Sequence, residues 1–279
     1  SGRSAGRARR TELKMTLFSA LTAARQKIDR LDARLLLQYA TGCSHTDLLA
    51  RPETPLIAPA AAQFLEWVER RAAGEPLAYL VGEAEFCGRV FQVSPDVLIP
   101  RPETEVLIEL ALEKLHGLAA PKVLDLGTGS GIVAISLALE CPTAQITAVD
   151  LSFAAISVAR NNAGRLGATV DFRQSDWFAN LAGEAFDLIV SNPPYVAAGD
   201  PHLELNGLPF EPQMALTDGA DGLNCIRRIV AGSMAHLKPA GWLLFEHGYD
   251  QGEASRNLLT LAAFKAAFTH PDLAGIDRV

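Results

Sequence analysis

The apolar positions of this chain change period along its length, and that change divides it. From Leu17 onward Leu21, Ala24, Ile28, Leu31, Leu35 and Tyr39 recur at helical spacing, and Phe64, Leu65, Trp67 and Val68 mark a further helical stretch. A turn around Gly42 and the proline-rich RPETPLIAP (51–59) interrupt the pattern between them. Residues 15–84 are therefore expected to form a small all-helical domain. FCGRVFQV (86–93) looks extended, with Gly88 placed for a turn or bulge, so 85–100 is expected to be a hairpin linker. Pro100 and Pro102 forbid helix until Glu103, after which EVLIELALEKL is strongly helical.

From Lys122 the pattern becomes an alternation. KVLDLG (122–127), ITAVD (146–150), a short run around 170–172, FDLIVSN (186–192) and WLLFEHG (242–248) are strand-like. IVAISLALE (132–140), SFAAISVARNNAGRLG (152–167) and GLNCIRRIVAGSMAHL (222–237) are helical. Continuously apolar strands separated by helices predict a parallel sheet buried on both faces. The expected class is α/β, a Rossmann-like sheet over residues 101–279 preceded by the helical domain and the hairpin.

Composition fits a chain with a substantial core: 279 residues, 49% hydrophobic and 20% charged. No run of 18 or more apolar residues occurs, which argues against a transmembrane helix and for no membrane partner. The first fourteen residues carry four Arg and one Lys against one Glu, with no apolar stretch behind them to make a secretory signal. They are expected to be a remnant of expression ahead of Met15 or a disordered arm; a nucleic-acid-binding arm is the other reading. Without their net +4 the formal charge of −7 becomes −11, a poor electrostatic match for a phosphate backbone. No direct nucleic-acid substrate is therefore expected. Four cysteines without a CxxC and six scattered histidines support neither a metal site nor a redox dithiol, and free thiols suit a reducing cytoplasm.

Chemistry-bearing residues sit at the ends of the expected strands. Asp125-Leu126-Gly127-Thr128-Gly129-Ser130-Gly131 occupies a strand-to-helix turn, where glycines let a ligand approach the backbone. A dinucleotide fingerprint would be GxGxxG; here the third glycine arrives one residue early. Asp150 ends the next strand, where a carboxylate can accept both hydroxyls of a ribose; capping the helix at Ser152 is the plainer role. Asp176-Trp177 follows the third strand and fits an adenine, with the carboxylate on the amino group and the indole alongside, or Trp177 is simply core. Asn192-Pro193-Pro194-Tyr195 leaves the fourth strand at the carboxyl edge of the sheet. Two prolines could serve only as a rigid exit. An amide before them and an aromatic after them make a more specific combination.

The glycine turn resembles the DxGxGxG loop of class I methyltransferases, and NPPY resembles the [ND]PPY motif of those that modify amide or exocyclic nitrogens. LIPRPETE before this core, FEPQMAL (210–216) after the NPPY loop, DLAGIDRV (272–279) and the helical N-terminal domain together closely resemble the bacterial release-factor glutamine methyltransferases. The resemblance runs from about residue 15 to the last residue. It implies S-adenosyl-L-methionine as cofactor and, as substrate, the glutamine of the GGQ tripeptide in class 1 peptide-chain release factors. It implies cofactor contacts at Asp125, Gly127, Thr128, Gly129, Ser130, Gly131, Asp150, Asp176, Trp177 and Asn192. Asn192, Pro193, Pro194 and Tyr195 would hold the glutamine, and Leu98, Arg101, Thr104 and Glu211 would line the site.

The residue types suit that chemistry. An amide nitrogen is a poor nucleophile because its lone pair is delocalised. Acceptors on both its hydrogens can orient it, and the Asn192 oxygen and Pro193 carbonyl are suited to this. Tyr195 would pack on the flat face of the acceptor. The family commonly reads EIGYDQ where this chain has EHGYDQ (246–251), and its members often run slightly further, so a final edge strand is expected to be short. Three alternatives stay open: a base methyltransferase, which shares [ND]PPY; a nicotinamide oxidoreductase; and a non-catalytic binding module.

Overall fold

The computed structural model describes residues 15–205 and 207–279. The basic segment 1–14, expected to be a remnant or arm, lies outside the described residues. The chain divides into two compact units between Val81 and Gly82.

The first unit holds α1 (Leu17–Ala24), α2 (Arg30–Thr41), α3 (His45–Ala50), α4 (Ala58–Ala72) and α5 (Leu77–Val81). Side chains at the N-termini set these helices. Thr16 with Ser19, and Ser44 with Asp47, form capping boxes, while Asp29 caps α2. Gly42, at φ +70°, ends α2 in the left-handed conformation that glycine adopts without strain. Leu36, Leu37, Phe64 and Val68 form the buried core of this unit. The apolar stripe read through Leu31 and Tyr39 is not the buried face of α2, because both are half-exposed. The chain leaves the helix between Ala24 and Arg30, so the period restarts there. Ala33, Leu36 and Leu37 point inward instead.

The second unit opens with a hairpin of β1 (Glu83–Phe86) and β2 (Arg89–Gln92), turning at Cys87-Gly88. There follow α6 (Thr104–Leu115), β3 (Lys122–Leu126), α7 (Ile132–Glu140), β4 (Gln145–Asp150), α8 (Phe153–Leu166), β5 (Asp171–Gln174), β6 (Phe186–Ser191), α9 (Gln213–Leu216), α10 (Asn224–Ser233), β7 (Leu237–Phe245) and α11 (Gly252–Leu261). The five strands β3–β7 form one sheet in the order β5-β4-β3-β6-β7, every neighbouring pair parallel. Alternate residues face opposite sides. Val123, Leu188, Val190 and Leu244 pack in the core that includes Leu107 of α6 and Ile135 of α7. Leu124, Leu126, Ile189 and Phe245 pack with Ile226 and Ile229 of α10. Burial on both faces is what makes these strands read as continuous apolar runs.

Two expectations shift. β7 starts at Leu237 rather than Trp242, through Lys238-Pro239-Ala240-Gly241, where Ala240 has φ +64° and the register with β6 slips. Proline and an irregular backbone hid that stretch from an apolar pattern. At the C-terminal end, Pro271 and Asp277 form an isolated bridge and no edge strand appears among the described residues. No helix among them is long and apolar enough to cross a membrane.

Strand register aligns the chemistry-bearing ends. Leu126 pairs with Ser191, and Ser191 with Phe245. Gly127, Asn192 and Glu246 are thus the next residues of three adjacent strands at one edge of the sheet. Chain order reverses between β3 and β6, which opens the crevice where ligands bind in such sheets.

Candidate active site

A cavity of about 290 Å³ lies at this carboxyl edge. Asp125, Gly127, Thr128, Gly129, Ser130, Asp150, Asp176, Trp177 and Asn192 all line it, as do Leu98 and Pro194. The residues expected from the sequence to meet a nucleoside are therefore brought together.

The turn after β3 is built around Asp125 and three left-handed glycines, Gly127, Gly129 and Gly131, at φ +72°, +55° and +85°. Thr128 donates its hydroxyl to Asp125 Oδ2 at 2.6 Å. A Cβ at Gly131 would come within 2.8 Å of Ile135 Cδ1 and 3.0 Å of Ala159 Cβ, so that glycine serves the packing of α7 against α8. Gly131 itself is not part of the cavity lining. At Gly129 a Cβ would meet no protein atom, and the backbone there is open to a ligand. Asn162 is fully buried and fixes the loop from behind, donating from Nδ2 to the Ser130 carbonyl at 2.9 Å and also bonding Gln92. Burial pushes the Asp125 carboxyl up to about 7, against the Thr128 hydrogen bond.

Asp150 accepts from the Gly129 N–H at 2.9 Å and from the Ser152 N–H at 2.8 Å, one on each oxygen. The helix N-cap proper is Ser152, which accepts from the Ala155 N–H. Asp150 is thus not the cap of α8, and each of its oxygens keeps a lone pair for a further donor. Burial pushes its carboxyl up, opposed by those backbone N–H groups. The Trp177 ring lies against Gly127, 3.8 Å from where a Cβ would stand, and also packs on the sheet core. Asp176 pairs with Arg228 at 2.9 Å.

The cavity wall is acidic. Asp96, Asp125, Asp150, Asp176 and Asp218 face it, and Arg228 is the one cation among the described lining residues. A pyrophosphate would meet this lining with charge repulsion, whereas a sulfonium and an ammonium would not. The lining suits the cationic S-adenosylmethionine better than a phosphate-bearing dinucleotide.

On the other wall, Asn192 donates from Nδ2 to Thr104 Oγ1 at 3.0 Å. Thr104 donates to Glu246 Oε2 at 2.7 Å, and the Tyr195 hydroxyl donates to Glu246 Oε1 at 2.8 Å. Tyr195 and Pro193 are not part of the cavity lining, and Arg101, Thr104 and Glu211 also stand outside it. The tyrosine ring turns away from the cavity to pack on the sheet core, and burial beside Glu246 holds its hydroxyl well above the usual tyrosine range. Gln251 clamps the exit of the turn, donating to the Tyr195 carbonyl at 2.8 Å while accepting from the Gly248 N–H at 2.8 Å. Gly222 makes room for this: a Cβ there would stand 2.4 Å from the Tyr195 carbonyl oxygen. Glu211 is buried and ties two loops together, accepting from the Ile99 N–H at 3.0 Å and from Arg101 at 2.5 Å.

The sequence pattern marks EHGYDQ only by its histidine and does not single out Glu246 or Gln251. The available signal was position: an acid placed directly after an apolar strand, at the same edge as Asp150 and Asn192.

The sheet, the glycine turn and the acidic crevice define a class I methyltransferase that uses S-adenosylmethionine. Residues 103–206 match the family described as Methyltransferase small domain, and residues 13–82 match the PrmC N-terminal domain. The release factor glutamine methyltransferase of Burkholderia pseudomallei is 52% identical over 258 residues, 90% of each chain. That of Bordetella pertussis is 50% identical over 266 residues, 95% of this chain and 98% of its own. The chain belongs to the release factor glutamine methyltransferase family. A solved T. thermophilus 16S rRNA methyltransferase in complex with AdoMet and guanosine shares the fold, with a TM-score of 0.50 at 23% identity over 70% of this chain and 48% of its own.

Proposed function

We propose that this protein methylates the side-chain amide nitrogen of the glutamine in the GGQ tripeptide of class 1 release factors, acting in the cytoplasm, with no nucleic-acid substrate. Family membership supports the release factor as partner. The observation that carries the chemistry is the common cavity lined by Gly129, Asp150 and Asn192, with the Asn192 amide nitrogen tied back to Thr104.

When bound, S-adenosylmethionine supplies a methyl group activated by its positive sulfur. Gly127, Thr128, Gly129 and Ser130 would surround it through the backbone, Asp150 would accept its ribose hydroxyls, and Trp177 with Asp176 would meet the adenine. Asn192 Oδ1 and the Pro193 carbonyl would accept the two N–H hydrogens of the glutamine amide and aim its nitrogen at the methyl. Pro194, Leu98 and the Arg101–Glu211 pair would shape the entrance. Tyr195, in this reading, supports the turn rather than covering the acceptor. The methyl would pass to the amide nitrogen with the thioether as leaving group, and the alkylated nitrogen would give its extra proton to solvent. The task of the side chains is orientation and charge placement, without a strong general base. The N-terminal helical unit would recognise the protein substrate.

Transfer of labelled methyl from S-adenosylmethionine to a purified release factor, beside tRNA, rRNA and DNA as acceptors, tests this reading. Label on the release factor alone is expected. Label on a nucleic acid in its place would overturn it.

A further inference from the structure

Glu246 is fully buried, lies 142 residues from Thr104 in sequence, and receives two hydroxyl hydrogens, one on each oxygen. A hydroxyl has a single hydrogen to donate. Thr104 commits its hydrogen to Glu246, so toward Asn192 it presents only a lone pair. Asn192 must then turn its nitrogen to Thr104, with the two atoms 3.0 Å apart. Its oxygen is left for the cavity. We propose that Glu246 is a positioning residue which, through Thr104, fixes the polarity of the Asn192 carboxamide so that its oxygen faces the methyl acceptor. This rests on the reading of Asn192 as the group that holds the acceptor amide.

Polarity matters because the acceptor nitrogen carries donors. A reversed Asn192 would set its own N–H groups against them, an arrangement with no hydrogen bond. The buried acid is unfavourable by itself: burial pushes its carboxyl up, with Glu103 adding to the effect, while the bonds from Thr104 and Tyr195 and the charge of Arg278 lower it. The two donated hydrogens favour the anion and offset part of the cost of its burial. The same relay selects Asn over Asp at the head of the motif. An aspartate would place oxygen against the Thr104 lone pair and add a second negative charge behind Glu246.

The test uses the full chain as wild type, N192D, E246Q and the N192D/E246Q double variant, with turnover, KM for the release factor and Kd for S-adenosylmethionine measured separately. N192D is expected to lose about 10²–10³ in turnover. Adding E246Q should return at least roughly tenfold of it, an interaction of the size that coupled neighbours show. In the double variant the new amide can donate to Thr104, whose hydrogen then turns to the new carboxylate, and the buried charge is unchanged. A double variant that folds, binds cofactor and is as slow as N192D overturns the proposal. A purely structural role for Glu246 predicts no such recovery.

Because E246Q could impair folding, Thr104→Val provides a second measure. It should lower turnover about 10–100-fold with KM and cofactor Kd nearly unchanged, and Thr104→Ser should restore most of the loss. Wild-type turnover in Thr104→Val overturns the relay. The nitrogen-15 spectrum of the Asn192 side chain separates this inference from the functional reading. One N–H should be shifted and protected in wild type and released in Thr104→Val, whichever acceptor is methylated. An unchanged spectrum overturns the relay on its own, whereas an inactive wild type with the expected spectrum overturns only the functional reading.

Discussion

The Gly129 N–H donates to Asp150 Oδ2 at 2.9 Å, so the glycine turn after β3 and the acidic end of β4 are parts of one hydrogen-bonded structure. The Ser152 N–H holds the other oxygen, and the carboxylate therefore faces the cavity with both oxygens oriented and not saturated. Replacing Asp150 by Ala removes an ionised acceptor, and bonds to charged groups contribute about 1.5–3 kcal/mol. S-adenosylmethionine affinity should fall on the order of 10–100-fold. Calorimetric titration of the folded variant checks this, and unchanged affinity would remove Asp150 from the cofactor site.

Asp125 gives the ligand-free protein a pH dependence of definite sign. Its carboxyl, raised by burial to about 7, binds its proton more tightly in the folded state than in the unfolded chain. The associated stability is fully present below the ordinary carboxylate range and is lost as pH rises through about 7, with a slope of at most ~1.4 kcal/mol per pH unit. Asp125→Asn removes this dependence. Wild-type and variant urea midpoints should therefore diverge between about pH 4 and 7, the variant gaining relative to wild type as pH rises. A difference that stays constant with pH would contradict the assignment. Glu246, also raised by burial, contributes equally to both proteins, whereas Asp150, whose charge adds to the rise at Asp125, is eased in the variant and adds to its gain.

Glu211 is buried and its partner Arg101 is partly exposed. Among the described residues, Arg101→Ala leaves the carboxylate with the Ile99 N–H as its remaining bond, and breaking such a pair from one side costs about 3 kcal/mol. Glu211→Gln should cost less, since a neutral amide is easier to bury. Denaturant midpoints for the two variants check the order, and equal stabilities would show that the pair does not hold the 97–103 and 208–216 segments.

The N-terminal unit offers a separate expectation. A chain beginning at Gly82 should bind S-adenosylmethionine with wild-type affinity and methylate a release factor poorly, because the cavity residues all lie beyond that point. Full activity on the intact release factor would remove the recognition role from α1–α5.

The parts of the fold and site that can be read from the sequence are the local ones. DLGTGSG, Asp150 and NPPY each stand at a strand end, and period and turn chemistry mark strand ends within a few residues. The α7 boundaries, Ile132 and Glu140, coincide with the apolar run that predicts them. What stayed hidden depends on distant contacts. The Thr104–Glu246 and Gln251–Tyr195 bonds join residues far apart in sequence, and no periodicity encodes them. The Tyr195 hydroxyl is likewise held by the distant Glu246, and the stripe through Leu31 and Tyr39 does not continue from α1 because α1 and α2 are separate helices.

If the acceptor is a primary amide held by Asn192, replacing that amide in the substrate must abolish the reaction. Purified protein, labelled S-adenosylmethionine and a release factor carrying either glutamine or glutamate in the GGQ tripeptide are combined, and the modified peptide is mapped by mass spectrometry. Methylation should appear on the glutamine, vanish in the Gln-to-Glu release factor, and fall about 10²–10³-fold in Asn192→Ala with release-factor affinity little changed. Robust methylation of the Gln-to-Glu release factor, or full activity in Asn192→Ala, would show that Asn192 does not hold a glutamine amide.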